Sequence, residues 1–204
     1  LTRCVLLSEL SSSRADLAPC NRAGQAGMIN SLWSLGQRLK ALGFQTSLAE
    51  LTQARHYDTL ADAKEAIQNA ARDLDLTHIP ESLRPLTFAI TGGGNVSKGA
   101  QEILSLLDPL WLRGEVLVEL ANNKALDPNK MYASVLDVGE LVTPLHDSGS
   151  VFDPLHYYKH PEQYVSQFER YVPHLSVLLH GAYWDFRYPK LLTQSFLKEH
   201  FASK

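Results

Sequence analysis

Residues 86–99 read LTFAITGGGNVSKG: a short apolar run meets three consecutive glycines and passes at once into AQEILSLL, which has helical spacing. Strand, tight turn and helix N-terminus in that order are the local grammar of a βαβ layer. Such a turn gathers backbone N–H groups and the positive end of a helix dipole at one point, which suits a phosphate. Gly92 can make the sharp turn, and Gly94 leaves no Cβ between backbone and pyrophosphate. The spacing is G-x-G-x-x-S, with Ser97 where the dinucleotide-binding fingerprint has its third glycine and Gly99 two residues later. Ser97 is then a small packing residue or a hydroxyl offered to phosphate. Asn95 and Val96 lie inside the turn, where asparagine tolerates unusual backbone angles. Lys98 either counters a phosphate or is simply exposed. On pattern alone, a dinucleotide site and a purely structural turn both remain open.

The remaining pattern points to an α/β chain with a Rossmann-like, doubly wound parallel sheet and a long connecting helix near its N-terminus. A strand is expected at 2–7. A helix is expected over 27–42, where Met28, Leu32, Leu35, Leu39 and Leu42 recur at helical spacing and Gly43 stands at the C-cap position. A second helix is expected over 60–74, with Asp58 and Thr59 as caps. After the glycine turn, a helix is expected over 98–107, strands over 115–120 (EVLVEL) and 131–138, a turn-rich loop at 147–153, a helix over 161–172 opened by Pro161, and a buried strand over 174–180. Residues 1–80 are expected to form an N-terminal segment with connecting helices, and 81–204 the dinucleotide-binding domain.

Composition narrows the function classes. A formal net charge of -3 over 204 residues gives no basic face for nucleic acid. No apolar run reaches the length of a membrane-spanning helix. Cys4 and Cys20 read as two reduced thiols, and no second cysteine pair provides metal spacing, so no metal is expected.

Several residues invite a role. Glu119, at the end of the expected 115–120 strand, can accept hydrogen bonds from the adenosine ribose and would repel the extra phosphate of NADP; a plain strand-end charge is the other reading. Asp137 ends the next strand and can touch adenine or ribose, or be merely solvated. His180 and Gly181 end the last strand at the same crevice. Tyr183 and Trp184 follow, as nicotinamide-pocket residues or as packing. His156 and His160 have i, i+4 spacing without an evident third ligand, which favours a structural reading.

Four separated blocks carry a family resemblance. GGGNVSKGAQEI resembles the GTGNVSKGAQ segment of the saccharopine-forming lysine–ketoglutarate reductases, the reductase half of the bifunctional aminoadipic semialdehyde synthases. GQAGMINSLWSLGQRLKALG is similar to the family's AGMINxLHGxGxRLLALG helix, FDPLHYYKHPEQY to YDPAEYDKHPERY, and HGAYWDFRYPKLLT to NGxYWExxxPRLLT. The blocks occur in the family's order. The resemblance implies an oxidoreductase of the alanine-dehydrogenase-like group, with NADP or NAD in the cleft between two α/β domains. The implied small molecules are lysine, 2-oxoglutarate and saccharopine, in the mitochondrial matrix or the cytoplasm. Gly92, Gly94, Asn95, Val96 and Ser97 would then hold the pyrophosphate. The family's catalytic lysine and histidine precede the long helix, and neither has a match here. The chain is therefore expected to be part of a larger enzyme that supplies the remaining domains, with a homo-oligomer among the assemblies left open. The alternatives are a non-catalytic scaffold or regulatory module, or a related amino-acid dehydrogenase.

Overall fold

The computed structural model describes residues 7–9, 17–146 and 152–201. Cys4, most of the strand expected at 2–7 and most of the loop at 147–153 lie outside the described residues. Strand β1 (Leu7–Glu9) is followed by the long helix α1 (Leu17–Ala41). Two residues beyond its end, Gly43 takes a φ of +91°, a left-handed angle that only glycine adopts without strain. Helix α2 (Leu60–Arg72) is opened by a capping box: the Thr59 hydroxyl accepts from the Asp62 N–H, and the Asp62 carboxylate accepts from the Thr59 N–H.

The glycine turn joins β2 (Leu86–Thr91) to α3 (Asn95–Leu104). Then come β3 (Leu110–Trp111), α4 (Gly114–Asn122), β4 (Met131–Leu136), the single turn α5 (Val138–Leu141), and β5 (Val142–Pro144). The rest of the described chain holds α6 (Pro154–Lys159), β6 (Tyr164–Ser166), β7 (Val177–His180) and α7 (Gln194–Phe201).

Five strands form one parallel sheet in the order β1-β7-β2-β4-β3, confirming the α/β, Rossmann-like class. All six residues of β2 are buried, as befits a central parallel strand covered on both faces. Alternation along the strands divides the core in two. Phe88, Ile90, Val177 and Leu179 face α1, α2 and α3 in one cluster, which draws residues from both sides of position 80. Ala89, Leu178, Tyr132 and Leu136 face Leu117 of α4 and the aromatic residues Phe168 and Tyr171 in the other.

Two expected elements are corrected. Residues 115–120 are not a strand but lie within α4. The alternating run EVLVEL also serves a helix: Gly114 and Leu117 are buried, while Glu115, Val116 and Glu119 are exposed. A short apolar run carries either period, and the sheet position is filled instead by Leu110–Trp111, paired to Tyr132 and Ala133. Residues 161–172 are not one helix either. A single turn at Pro161–Gln163 gives way to β6, antiparallel to β5. The Gln167 side-chain amide donates to the Gly139 and Val142 carbonyls at 3.1 Å each, tying the chain to that ladder instead of to a helix. From β2 the order is thus β-α-β-α-β as far as β4, with a two-stranded ribbon inserted before β7 returns to the main sheet.

Candidate functional site

The glycine turn sits at the carboxyl end of β2, between the ends of β4 and β7. Gly92 has a φ of +85°, and its N–H donates to the Leu136 carbonyl at the end of β4 at 2.8 Å. On its other side, an added Cβ would approach the Ala182 backbone to 3.0 Å. The turn is therefore fixed from both neighbouring strands. The unusual backbone angle belongs to Gly92, whereas Asn95 is the first helical residue of α3.

Gly94 is the N-cap of α3 and provides no side-chain cap, and a Cβ added there would meet nothing within 4 Å. Space is open directly in front of this backbone. The Lys98 N–H donates to the Gly94 carbonyl at 3.0 Å, so the N–H groups of Asn95, Val96 and Ser97 precede the helical ladder. These are the groups that a helix N-terminus offers to an anion. Val96 and Ser97 contribute only backbone there. The Val96 side chain is buried, and Ser97 is fully buried with its hydroxyl accepting from the Gln101 amide at 3.0 Å. Lys98 is exposed. The close packing ascribed to a third glycine falls to Gly99, where a Cβ would come within 2.1 Å of the Asn21 carbonyl oxygen on α1.

Beside the turn, Thr91 and His180 end the adjacent strands β2 and β7 and are both buried. Thr91 Oγ1 lies 2.7 Å from His180 Nδ1 and accepts from the N–H groups of Gly181 and Ala182 at 3.2 and 3.4 Å. A hydroxyl that accepts from two backbone donors has its own proton to give to the ring nitrogen. This cluster fixes the path of the chain beyond β7. Tyr183 and Trp184 are exposed on that path, and the Asp185 carboxylate next to them is held down to about 2 by hydrogen bonding to Arg187.

On the β4 side a cavity of about 750 Å³ opens at the turn, lined by Gly93, Gly94, Arg113, Asp137, Glu140 and Tyr158 among others. Asp137 follows the strand that lies directly beside β2, because β4 and not β3 is the neighbour of the glycine strand, a lateral order that consecutive strands do not reveal; Arg113 carries no signal in the sequence. Glu119 stands exposed on α4 and is not among the residues lining this cavity. Its expected place at a strand end is corrected with the strand itself. His156 and His160 have ring centroids 5.1 Å apart, but His156 Nδ1 is 3.0 Å from the Tyr164 hydroxyl and His160 pairs with Glu162. Among the described residues no group of three His, Cys, Asp or Glu side chains is placed to hold a metal ion. None of the described helices is long and apolar enough to cross a membrane.

No protein-family model matches the chain. It is 39% identical over 173 residues to the mitochondrial alpha-aminoadipic semialdehyde synthase of Rattus norvegicus, a match covering 84% of this chain and 18% of the relative. The Bos taurus protein of the same name matches with the same identity and coverage. The alpha-aminoadipic semialdehyde synthase of Arabidopsis thaliana is 35% identical over 187 residues, covering 87% of this chain and 18% of the relative. The chain is thus homologous, over 84% of its length, to one segment of the alpha-aminoadipic semialdehyde synthases, and spans less than a fifth of the length of those relatives.

Proposed function

We propose that this chain is the nucleotide-binding part of a lysine–2-oxoglutarate reductase, with the turn at 92–97 holding the pyrophosphate of NADP or NAD. The observation that carries the reading is the open backbone at Gly94. It caps α3 without a side chain, faces space that a Cβ would enter, and precedes three N–H groups outside the helical ladder. A dinucleotide diphosphate fits that arrangement in charge and in donor geometry. The similarity to the semialdehyde synthases supports the choice of reaction class.

On this reading Gly92 fixes the turn, and the amides of Asn95, Val96 and Ser97 orient the diphosphate. The Thr91–His180 cluster shapes the adjoining mouth of the crevice. Held there, a reduced nicotinamide would supply hydride to the imine that lysine forms with 2-oxoglutarate, which with one proton would give saccharopine. The proton-handling groups of that reaction are assigned to the remaining domains of the parent enzyme, which is placed in the mitochondrial matrix or the cytoplasm; the mammalian relatives are named as mitochondrial. Titration of the chain with NADH and NADPH, followed by calorimetry, tests the nucleotide role. Saturable binding of either is expected. Absence of heat with both, in a chain that melts cooperatively, would overturn it in favour of a scaffold.

A further inference from the structure

The two ends of β2 carry the same residue on the same face. Thr87 and Thr91 are four positions apart and both are fully buried. At the amino end the Thr87 hydroxyl donates to the His174 carbonyl and accepts from the Ser176 N–H at 3.0 Å, which holds the approach to β7. At the carboxyl end the Thr91 hydroxyl gives its proton to His180 Nδ1 and accepts from the N–H groups of Gly181 and Ala182, which holds the exit. The β2–β7 register ends at Thr91 and His180, and the Thr91 side chain carries the tie two residues further. What the exit segment touches distinguishes the two ends. A Cβ placed on Gly181 would lie 3.3 Å from Val96 Cγ1 and 3.4 Å from the Ser97 nitrogen, and the Ala182 backbone closes on Gly92. Gly181 and Ala182 are thus wedged between the glycine turn and the first turn of α3. Beyond them the chain is tied to itself. The Asp185 carboxylate accepts from the Arg187 N–H at 2.9 Å and from the Tyr183 hydroxyl at 3.1 Å, and the Trp184 indole donates to the Pro189 carbonyl at 3.2 Å. Residues 181–189 form one arm, braced within and fastened at its base by the Thr91 hydroxyl.

We propose that Thr91 is a positioning residue of the crevice: by gripping the Gly181 and Ala182 amides, its hydroxyl seats the 181–189 arm against the glycine turn and so keeps the Asn95, Val96 and Ser97 amides in the geometry that receives a diphosphate. The inference rests on the reading of that turn as the pyrophosphate cradle. Both lone pairs and the proton of the hydroxyl are engaged within the protein, so Thr91 acts through the arm and not on the ligand. Valine has the same shape without the acceptor. In Thr91→Val the two part-buried amides lose their partner, and the arm must shift for them to find another. Serine restores the acceptor at the same place. Thr87 makes an equivalent grip at the far end of the strand, away from the turn, which makes it the matched control.

The test compares the whole chain with Thr91→Val, Thr91→Ser and Thr87→Val, by calorimetric titration with NADH and NADPH and by amide hydrogen exchange. Both valine variants lose a hydroxyl buried on one face of β2, so both should lower the denaturation midpoint. Only Thr91→Val should weaken the nucleotide that the unaltered chain binds, by about tenfold. Only there should the amides of Gly181 and Ala182 exchange at least about tenfold faster. Thr91→Ser should stay within about threefold of the unaltered chain in affinity, and Thr87→Val should match it in both readouts. Thr91→Cys, with a weaker acceptor at the same point, should fall between serine and valine and takes the place of Thr91→Val if that variant does not fold. Equal weakening in the two valine variants overturns the proposal while leaving the cradle standing. So does full affinity in a folded Thr91→Val or Thr91→Cys, or lost affinity in Thr91→Ser. If the unaltered chain binds neither nucleotide, the cradle itself is refuted and this assignment falls with it.

Discussion

Gly92 and Gly94 stand two residues apart and do different work. Gly92 takes a left-handed angle against the Ala182 backbone, whereas Gly94 has an ordinary extended conformation with open space before it. Gly92→Ala is therefore expected to lower stability by about 1–2 kcal/mol from the backbone angle alone, measured by urea denaturation. Gly94→Ala should change stability by less than about 0.5 kcal/mol yet weaken nucleotide binding at least about tenfold, because its Cβ enters the cradle. Loss of stability with retained binding in Gly94→Ala would contradict that division. The glycines were legible in sequence because their neighbours, an apolar strand and a helical run, bracket them. Ser97 was legible only as an ambiguity. Its burial, and the transfer of close packing to Gly99, depend on α1, which lies far away in the chain.

Among the elements, the α1–α3 contact is the tightest. Gly24 and Gly99 face it from opposite sides, and a Cβ on Gly24 would come within 1.9 Å of the Val96 carbonyl oxygen. Backbone cannot yield as a flexible side chain can, so Gly24→Ala and Gly99→Ala should each cost at least about 2 kcal/mol, read by the denaturation midpoint. α2 joins the same layer through Glu102 on α3, which accepts from Lys64 of α2 and, at 2.7 Å, from Gln25 of α1. The Lys64 hydrogen bond, then that of Gln25, holds the Glu102 carboxyl below its ordinary 4.5. A depressed carboxyl contributes stability above that ordinary value and loses it as pH falls through the depressed one. The melting temperature of Glu102→Gln should therefore fall less between pH 7 and pH 3 than that of the parent; an identical fall would show that Glu102 contributes nothing. Helix α1 was visible from its leucine spacing and Gly43, and α2 from Thr59. The strand/helix confusion at 115–120 has a physical cause: with Leu117 the one fully buried side chain among those six residues, periodicity had little to report.

At the scale of the molecule, the strand order governs what the crevice can recognise. Because β4 and not β3 lies beside β2, Asp137 lines the cavity at the glycine turn and Glu119 does not. What sequence cannot show is lateral order. The hydrophobic patterns of β3 and β4 do not say which lies beside β2, and only the register of 86–91 with 131–136 does. The same order bears on how the chain is made. β2 is flanked by β4 and β7, both encoded after it. As the polypeptide leaves the ribosome, six residues that end buried emerge with neither partner strand yet synthesised, and the turn at Gly92 lacks its Ala182 neighbour until translation has passed that residue. The glycine-turn segment is thus synthesised well before the strands that cover it.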